Sequence, residues 1–188
     1  MQTVSFTSMI DGTAEDYAFL DKLEHEYARQ LPERIEYNLR KLENSLSGYK
    51  VSRLEHSLQA ATRAHRDGRD MDYIVAALIH DIGDELAPYS HSEMAASILR
   101  PFVHDDLYQI IRTHGVFQVY YYGEQTGIDK NLRERYSDRH WYEAAIEFCE
   151  KYDQNCFDPA YQSEPLEFFR PMLEEVFTRE PRFGEIAQ

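Results

Sequence analysis

Residues 73–83 read Tyr73-Ile74-Val75-Ala76-Ala77-Leu78-Ile79-His80-Asp81-Ile82-Gly83. The run up to Ile79 is apolar on every side, which marks a buried helix rather than a surface one. It starts near Met71, runs to Ile82 and stops at Gly83. Its end carries two polar side chains, His80 and Asp81. A buried aspartate costs several kcal/mol unless it is paired or binds a metal. Adjacent imidazole and carboxylate at the end of a buried helix therefore suggest a metal. The competing reading is a His-Asp helix terminus satisfied by backbone.

The sequence on both sides is helical. Asp16 to Leu31 carries Tyr17, Leu20, Leu23 and Tyr27 at three-to-four spacing. Pro32 opens a second helix with Ile35, Leu39, Leu42 and Leu46 on one face, and Gly48 closes it. Ser52 caps a third, with Glu55 placed for a capping box, and Asp67-Gly68 stops it. Downstream, the pattern predicts helices over Ser90 to Leu99, Asp105 to Arg112 running into Gly115, His140 to Tyr152 and Pro165 to Phe177. No alternating β-branched run bounded by turns appears. The expected class is all-α, a helical bundle of about eight helices.

At 188 residues the chain fits one domain of roughly 100–200 residues. Hydrophobic residues at 43% and charged residues at 29% describe a globular rather than a disordered chain. The net charge of −14 argues against nucleic acid or an anionic membrane as partner, since both reward a basic surface. It leaves room for a small anionic substrate in a locally basic pocket. No run approaches the roughly 18 apolar residues of a membrane span. Cys149 and Cys156 form no disulfide framework, and the first residues lack the pattern of a secretory signal. These features lead us to expect a reducing, cytoplasmic setting.

The other histidines sharpen the reading of His80-Asp81. His56 lies early in the third helix, His91 opens the helix after Ser90, His114 precedes Gly115, and Asp153 follows Tyr152. Each alone reads as structural. Together they give the order His, His-Asp, His, His, Asp, a set of imidazoles and carboxylates without thiolate that suits Fe, Mn or Zn. His25, His65, His104 and His140 read as background, with His140 placed to help cap its helix.

The pattern His56, His80-Asp81, Asp153, with His91 and His114 between, resembles the HD-domain superfamily of all-α metalloproteins. Its finer texture, Val51-Ser52-Arg53-Leu54-Glu55-His56-Ser57-Leu58-Gln59 and His80-Asp81-Ile82-Gly83-Asp84, is similar to the mixed-valent diiron oxygenases. These include inositol oxygenase and the enzymes that cleave 1-hydroxy-2-aminoethylphosphonates, among them the oxygenase of the trimethylated form. His114-Gly115-Val116-Phe117-Gln118 and Asn131-Leu132-Arg133-Glu134-Arg135 are similar to that oxygenase too. The resemblance covers Tyr49 to Phe177. It implies a single HD domain over residues 1–188, with a metal-binding core at 49–177 and N-terminal helices at 1–48 forming a lid.

The resemblance further implies two iron ions, Fe(II)/Fe(III), with O2 as co-substrate. His56, His80, Asp81 and Asp153 would hold one iron; Asp81, His91 and His114 would hold the other, with His80 and Asp81 at the catalytic heart. A carboxylate has two oxygens and can bridge, whereas an imidazole cannot readily do so. Three protein ligands on the second iron leave room for a chelating substrate. The implied reaction breaks the C–P bond of a 1-hydroxy-2-(trimethylammonio)ethylphosphonate-like substrate, giving phosphate and a carboxylate resembling glycine betaine.

Substrate contacts are expected from several residues. Of Tyr120, Tyr121 and Tyr122, at least one must face the interior, and with Phe117 they are candidates to face a quaternary ammonium. Gln118 lies next to them. Asp84 stands where the aminoethylphosphonate relative has a histidine that meets its substrate, and a carboxylate there would attract a permanent cation. Arg133 and Arg135, and also Arg63, offer guanidinium groups for phosphonate oxygens. Tyr49 occupies the place of a lid glutamate in one relative, with Tyr37 and Glu43 as substitutes from the preceding helix. Two other classes fit the same residues. One is a metal-dependent phosphohydrolase acting on a phosphate ester, the commoner activity of HD proteins. The other is a helical binding module with structural histidines.

Overall fold

The computed structural model describes residues 2–183, and among these it contains helices and no strand. The α-helices are α1 Ala14–Ala28, α2 Leu31–Lys41, α3 Arg53–Arg66, α4 Met71–Ile79, α5 His91–Leu99, α6 Asp105–Thr126, α7 Tyr142–Tyr152 and α8 Leu166–Phe177. Short 3₁₀ segments follow at Leu42–Asn44 and Lys130–Tyr136, and one precedes α1 at Met9–Asp11. None of the helices is long and apolar enough to cross a membrane.

The helix starts follow from local chemistry. Thr13 and Asp16 form a reciprocal capping box on α1. Ser52 accepts the Glu55 amide at 3.0 Å on α3. Glu55 does not return the bond, because its carboxylate accepts from Gln59 and Ser163 instead. Asp70 caps α4, all of whose residues from Ile74 to Ile79 are buried. Burial on every face explains the absence of polar positions there.

Four helix ends differ from those expected: α1 stops at Ala28 rather than Leu31, α4 stops at Ile79 rather than Ile82, and the ends of α2 and α6 shift further. α2 tightens into 3₁₀ geometry at Leu42 and does not reach Gly48, whose φ of +113° turns the chain afterwards. α6 does not stop near Gly115 but continues to Thr126, where Gly127 at φ +74° ends it. Gly115 serves packing instead. A Cβ there would sit 2.9 Å from Ser92 Oγ and 3.8 Å from the His91 ring, so the missing side chain lets α5 lie close against α6.

The core centres on α3, α4, α6 and α7. α3 packs on α4 and α7, α6 on α5 and α7, and α8 covers α2 and α4. Leu78, Ile79, Ile111, Phe148, Tyr152 and Phe169 are fully enclosed within one connected apolar cluster. The N-terminal segment lies elsewhere. α1 buries no residue, and α2 uses Pro32, Ile35 and Leu39 to sit against α8 and α3.

Candidate metal centre

Five helices deliver side chains to one point. His56 comes from the first turns of α3, His80 and Asp81 from the turn leaving α4, and His91 from the first position of α5. His114 comes from the middle of α6 and Asp153 from the end of α7. His56 and His80 have no exposure, and Asp81, His114 and Asp153 have 3% or less.

The arrangement divides about the two oxygens of Asp81. Oδ2 lies 3.2 Å from His56 Nε2 and 3.3 Å from His80 Nε2. Asp153 Oδ1 joins that side at 3.4 Å from His56 Nε2 and 3.8 Å from His80 Nε2. Oδ1 of Asp81 lies 3.2 Å from His114 Nε2 and 3.4 Å from His91 Nε2. Within each of the sets His56–His80–Asp81 and Asp81–His91–His114, one donor atom per residue falls within 4.8 Å of the others. The structure thus brings together all six side chains singled out in the sequence.

The ring orientations are fixed from behind. His56 Nδ1 donates to the Cys156 carbonyl at 3.1 Å, His80 Nδ1 to Ala77 at 2.8 Å and His114 Nδ1 to Ile111 at 2.7 Å. A carbonyl only accepts, so each Nδ1 carries the hydrogen and each Nε2 turns a lone pair inward. His56 and His80 Nε2 approach to 3.0 Å, where two lone pairs repel unless a positive charge lies between or beside them. Asp153 Oδ2 is buried with no hydrogen-bond partner among the described residues. Converging nitrogen lone pairs and an orphaned buried carboxylate oxygen fit a cation.

The electrostatics agree. Burial opposes a charge on His80, yet the Asp81 and Asp153 carboxylates outweigh it and lift the imidazole well above its usual range. Burial would likewise raise Asp81, but His80 and Arg53 hold it well below the usual carboxylate range. Asp153 is held low against its burial by His56 and His80. Cys149 is no ligand: burial pushes its thiol well up, and Sγ donates to the His114 carbonyl at 3.4 Å.

A cavity of about 850 Å³ opens onto this centre, touching Asp81, His91, His114 and Asp153 but neither His56 nor His80. Tyr121, Tyr122, Gln118 and Arg135 line it as well. Gln118 Nε2 donates to Asp153 Oδ1 at 2.7 Å, so one face of that amide already supports the centre. Tyr121 has its hydroxyl pushed up to about 12 by burial and stays neutral. Tyr49 lines the cavity and stacks on Phe157 at 5.0 Å, and Phe157 stacks on His56 at 4.4 Å.

Several expected contacts lie elsewhere. Arg133 is not at the cavity; its guanidinium stacks on Tyr120 at 3.5 Å, and Tyr120 does not line the cavity either. Arg63 stacks on Tyr161 at 4.2 Å and donates to the Asn155 carbonyl. Phe117 is enclosed in the core against Tyr136, Trp141 and Tyr142. Tyr37 points to solvent at 64% exposure, away from the cavity. Glu43 accepts from the Ser52 hydroxyl at 2.7 Å, at the start of α3. His140 does not cap its helix but pairs with Asp106 at the surface.

Asp84 also differs from its expected role. Its Oδ2 accepts from Arg53 Nε at 2.6 Å, and it is absent from the cavity lining, so its charge is already answered. Arg53 itself was not singled out from the sequence. It is 9% exposed, donates through Nη2 to Asp81 Oδ2, and so ties Asp81 to Asp84. One signal was available: a cation on the first turn of a helix opposes the helix dipole and needs a carboxylate partner. Phe157 and the cavity-lining Arg112 were missed too; Phe157 stands one residue past Cys156, itself 100 residues from His56, and so remote an aromatic leaves no spacing signal.

Comparison with known proteins gives two findings. The HD domain model matches residues 53–146. A curated relative, the 1-hydroxy-2-(trimethylamino)ethylphosphonate dioxygenase (glycine-betaine-forming) of Leisingera caerulea, is 33% identical over 78 residues. That alignment covers 36% of this chain and 40% of the relative.

Proposed function

The chain belongs to the HD-domain family, and from that premise we propose that it is a diiron oxygenase. Its reaction would break the C–P bond of a 1-hydroxy-2-(trimethylammonio)ethylphosphonate-like substrate. The observation that carries the metal pair is the division of Asp81, with Oδ2 turned to His56 and His80 and Oδ1 turned to His91 and His114. The similarity to the phosphonate dioxygenase supports the choice of reaction. His56, His80, Asp153 and Asp81 would hold one iron, and Asp81, His91 and His114 the other. Iron, when bound, supplies the activation of O2.

One O2 balances the change: the carbon bearing the hydroxyl becomes a carboxylate and the phosphorus leaves as phosphate. The protein's share is orientation and dryness. His91 and His114 face the cavity while His56 and His80 are closed off from it, so substrate approaches from the His91–His114 side. Arg135, at the cavity wall, offers a planar fork to phosphonate oxygens. Tyr121 and Tyr122 turn neutral aromatic rings to the cavity, and such faces attract a quaternary ammonium. The Tyr49–Phe157 stack covers His56 and keeps water from it.

The test is O2 uptake and phosphate release by anaerobically iron-loaded protein given the hydroxyphosphonate as trimethylated and primary amines. The proposal expects equal amounts of O2 consumed and phosphate released. Hydrolysis of phosphate esters with Mn or Zn, and no phosphate from either phosphonate, would replace it by the phosphohydrolase.

A further inference from the structure

His91 differs from the three other histidines of the centre in how it is held. His56, His80 and His114 each donate Nδ1 to a backbone carbonyl at 3.1 Å or less, whereas His91 makes no such bond among the described residues. Its nearest partner is Asp84, with Oδ1 3.6 Å from His91 Nδ1. That lies about 0.4 Å beyond hydrogen-bond range. The His91 side chain is 27% exposed, whereas those of His56, His80 and His114 are at most 2% exposed. Asp84 is itself pinned, since its other oxygen accepts from Arg53 at 2.6 Å.

The geometry points to Asp84 as the positioning residue of the Asp81–His91–His114 metal position, the weaker and second-filled of the two. This rests on the metal pair proposed above. The first position has four donor residues, all enclosed, with both rings fixed by carbonyls. The second has three, and one of its rings is held only by a carboxylate standing just out of reach. Metal binding draws an imidazole towards the ion and makes its far N–H a stronger donor, so Asp84 closes on His91 as the ion binds. Arg53 supplies the fixed point against which Asp84 works. It also links Asp84 to the bridging Asp81, so the same pair of side chains touches both positions.

The test is titration of the metal-free protein with Mn(II), following the free ion by electron paramagnetic resonance. Wild type should bind two ions in two separate steps, and His91→Ala should lose the weaker step alone. Asp84→Ala should weaken that step by about 10–100-fold and leave the tighter step unchanged. Asp84→Asn, which keeps an acceptor oxygen without the charge, should fall between, and it replaces the alanine variant if the latter does not fold. Three results overturn the inference: two ions of equal affinity in wild type, an unchanged second step in both Asp84 variants, or equal weakening of both steps. Equal weakening would mean that Asp84 acts only through Arg53 on the shared Asp81. A single ion at saturation would remove the metal pair, and the proposed function with it. Unequal steps in a protein that fails the phosphonate assay would leave this inference standing alone.

Discussion

Replacing Gly83 by alanine should damage the centre without touching a ligand. A Cβ at position 83 would lie 2.7 Å from the His91 carbonyl oxygen, 2.8 Å from its Cα and 3.1 Å from its carbonyl carbon. All three atoms are backbone, so no side-chain rotation relieves the overlap. Carbon atoms rest about 3.5–4.0 Å apart, so the turn after α4 and the start of α5 must separate by about 0.7 Å. Overpacking of this kind costs about 1–3 kcal/mol. The alanine recovers about 0.4–1 kcal/mol by restricting the unfolded chain. The ranges leave a net loss of about 0–2.6 kcal/mol with a midpoint of about 1.3 kcal/mol, which lowers Tm by about 3–5 °C in a chain of this size. The same displacement carries His91 away from Asp81 Oδ1, now 3.4 Å distant, and weakens the second metal step. Thermal unfolding followed by circular dichroism at the helix band, with and without Mn(II), reads both effects. A Tm within about 1 °C of wild type together with an unchanged second step would refute the reasoning.

Phe148 is fully enclosed and lies edge-on to His80 at 5.7 Å and to His114 at 6.2 Å, so Phe148→Ala should cost about 3–5 kcal/mol in urea unfolding. Glu36 accepts from Arg170 at 2.8 and 2.7 Å and also from Arg40; the Arg170 bonds lead in holding its carboxyl below the usual range. That stabilisation is present above the unfolded carboxyl's pKa and disappears as pH falls through the depressed folded value. The acid limb of a Tm–pH curve should therefore be less steep in Glu36→Gln than in wild type, and parallel curves would contradict it. Because Asp84 is paired with Arg53 and away from the cavity, Asp84→Asn at saturating metal should leave the ratio of trimethylated to primary-amine turnover unchanged. A selective loss of the trimethylated substrate would restore Asp84 as a cation site.

The legible and illegible parts of this chain separate by range. The apolar run before His80-Asp81 announces a buried helix because burial on all faces leaves no polar position within it. The helix starts read at Pro32 and Ser52 depend on residues within three positions of each other. Gly115 misled because glycine has two uses. Sequence shows a helix breaker, while the absent Cβ makes room for Ser92 and His91 on another helix. Gly83 is the same case beside His91. The Arg53–Asp84 pair answers a charge that sequence leaves free, and its members stand 31 residues apart. Lid residues were the hardest to place, since nothing in the periodicity of α1 and α2 says that α2 turns towards α8 rather than over the cavity.

The central claim is that Asp81 is shared by two metal ions, and the most direct measurement is the metal content of wild type and Asp81→Ala after anaerobic Fe(II) loading, with Mössbauer spectra of both. The account predicts two irons per chain in wild type, giving a mixed-valent coupled pair after partial oxidation, and loss of the pair in Asp81→Ala. Two irons retained by Asp81→Ala, or a single uncoupled iron in fully loaded wild type, would contradict it.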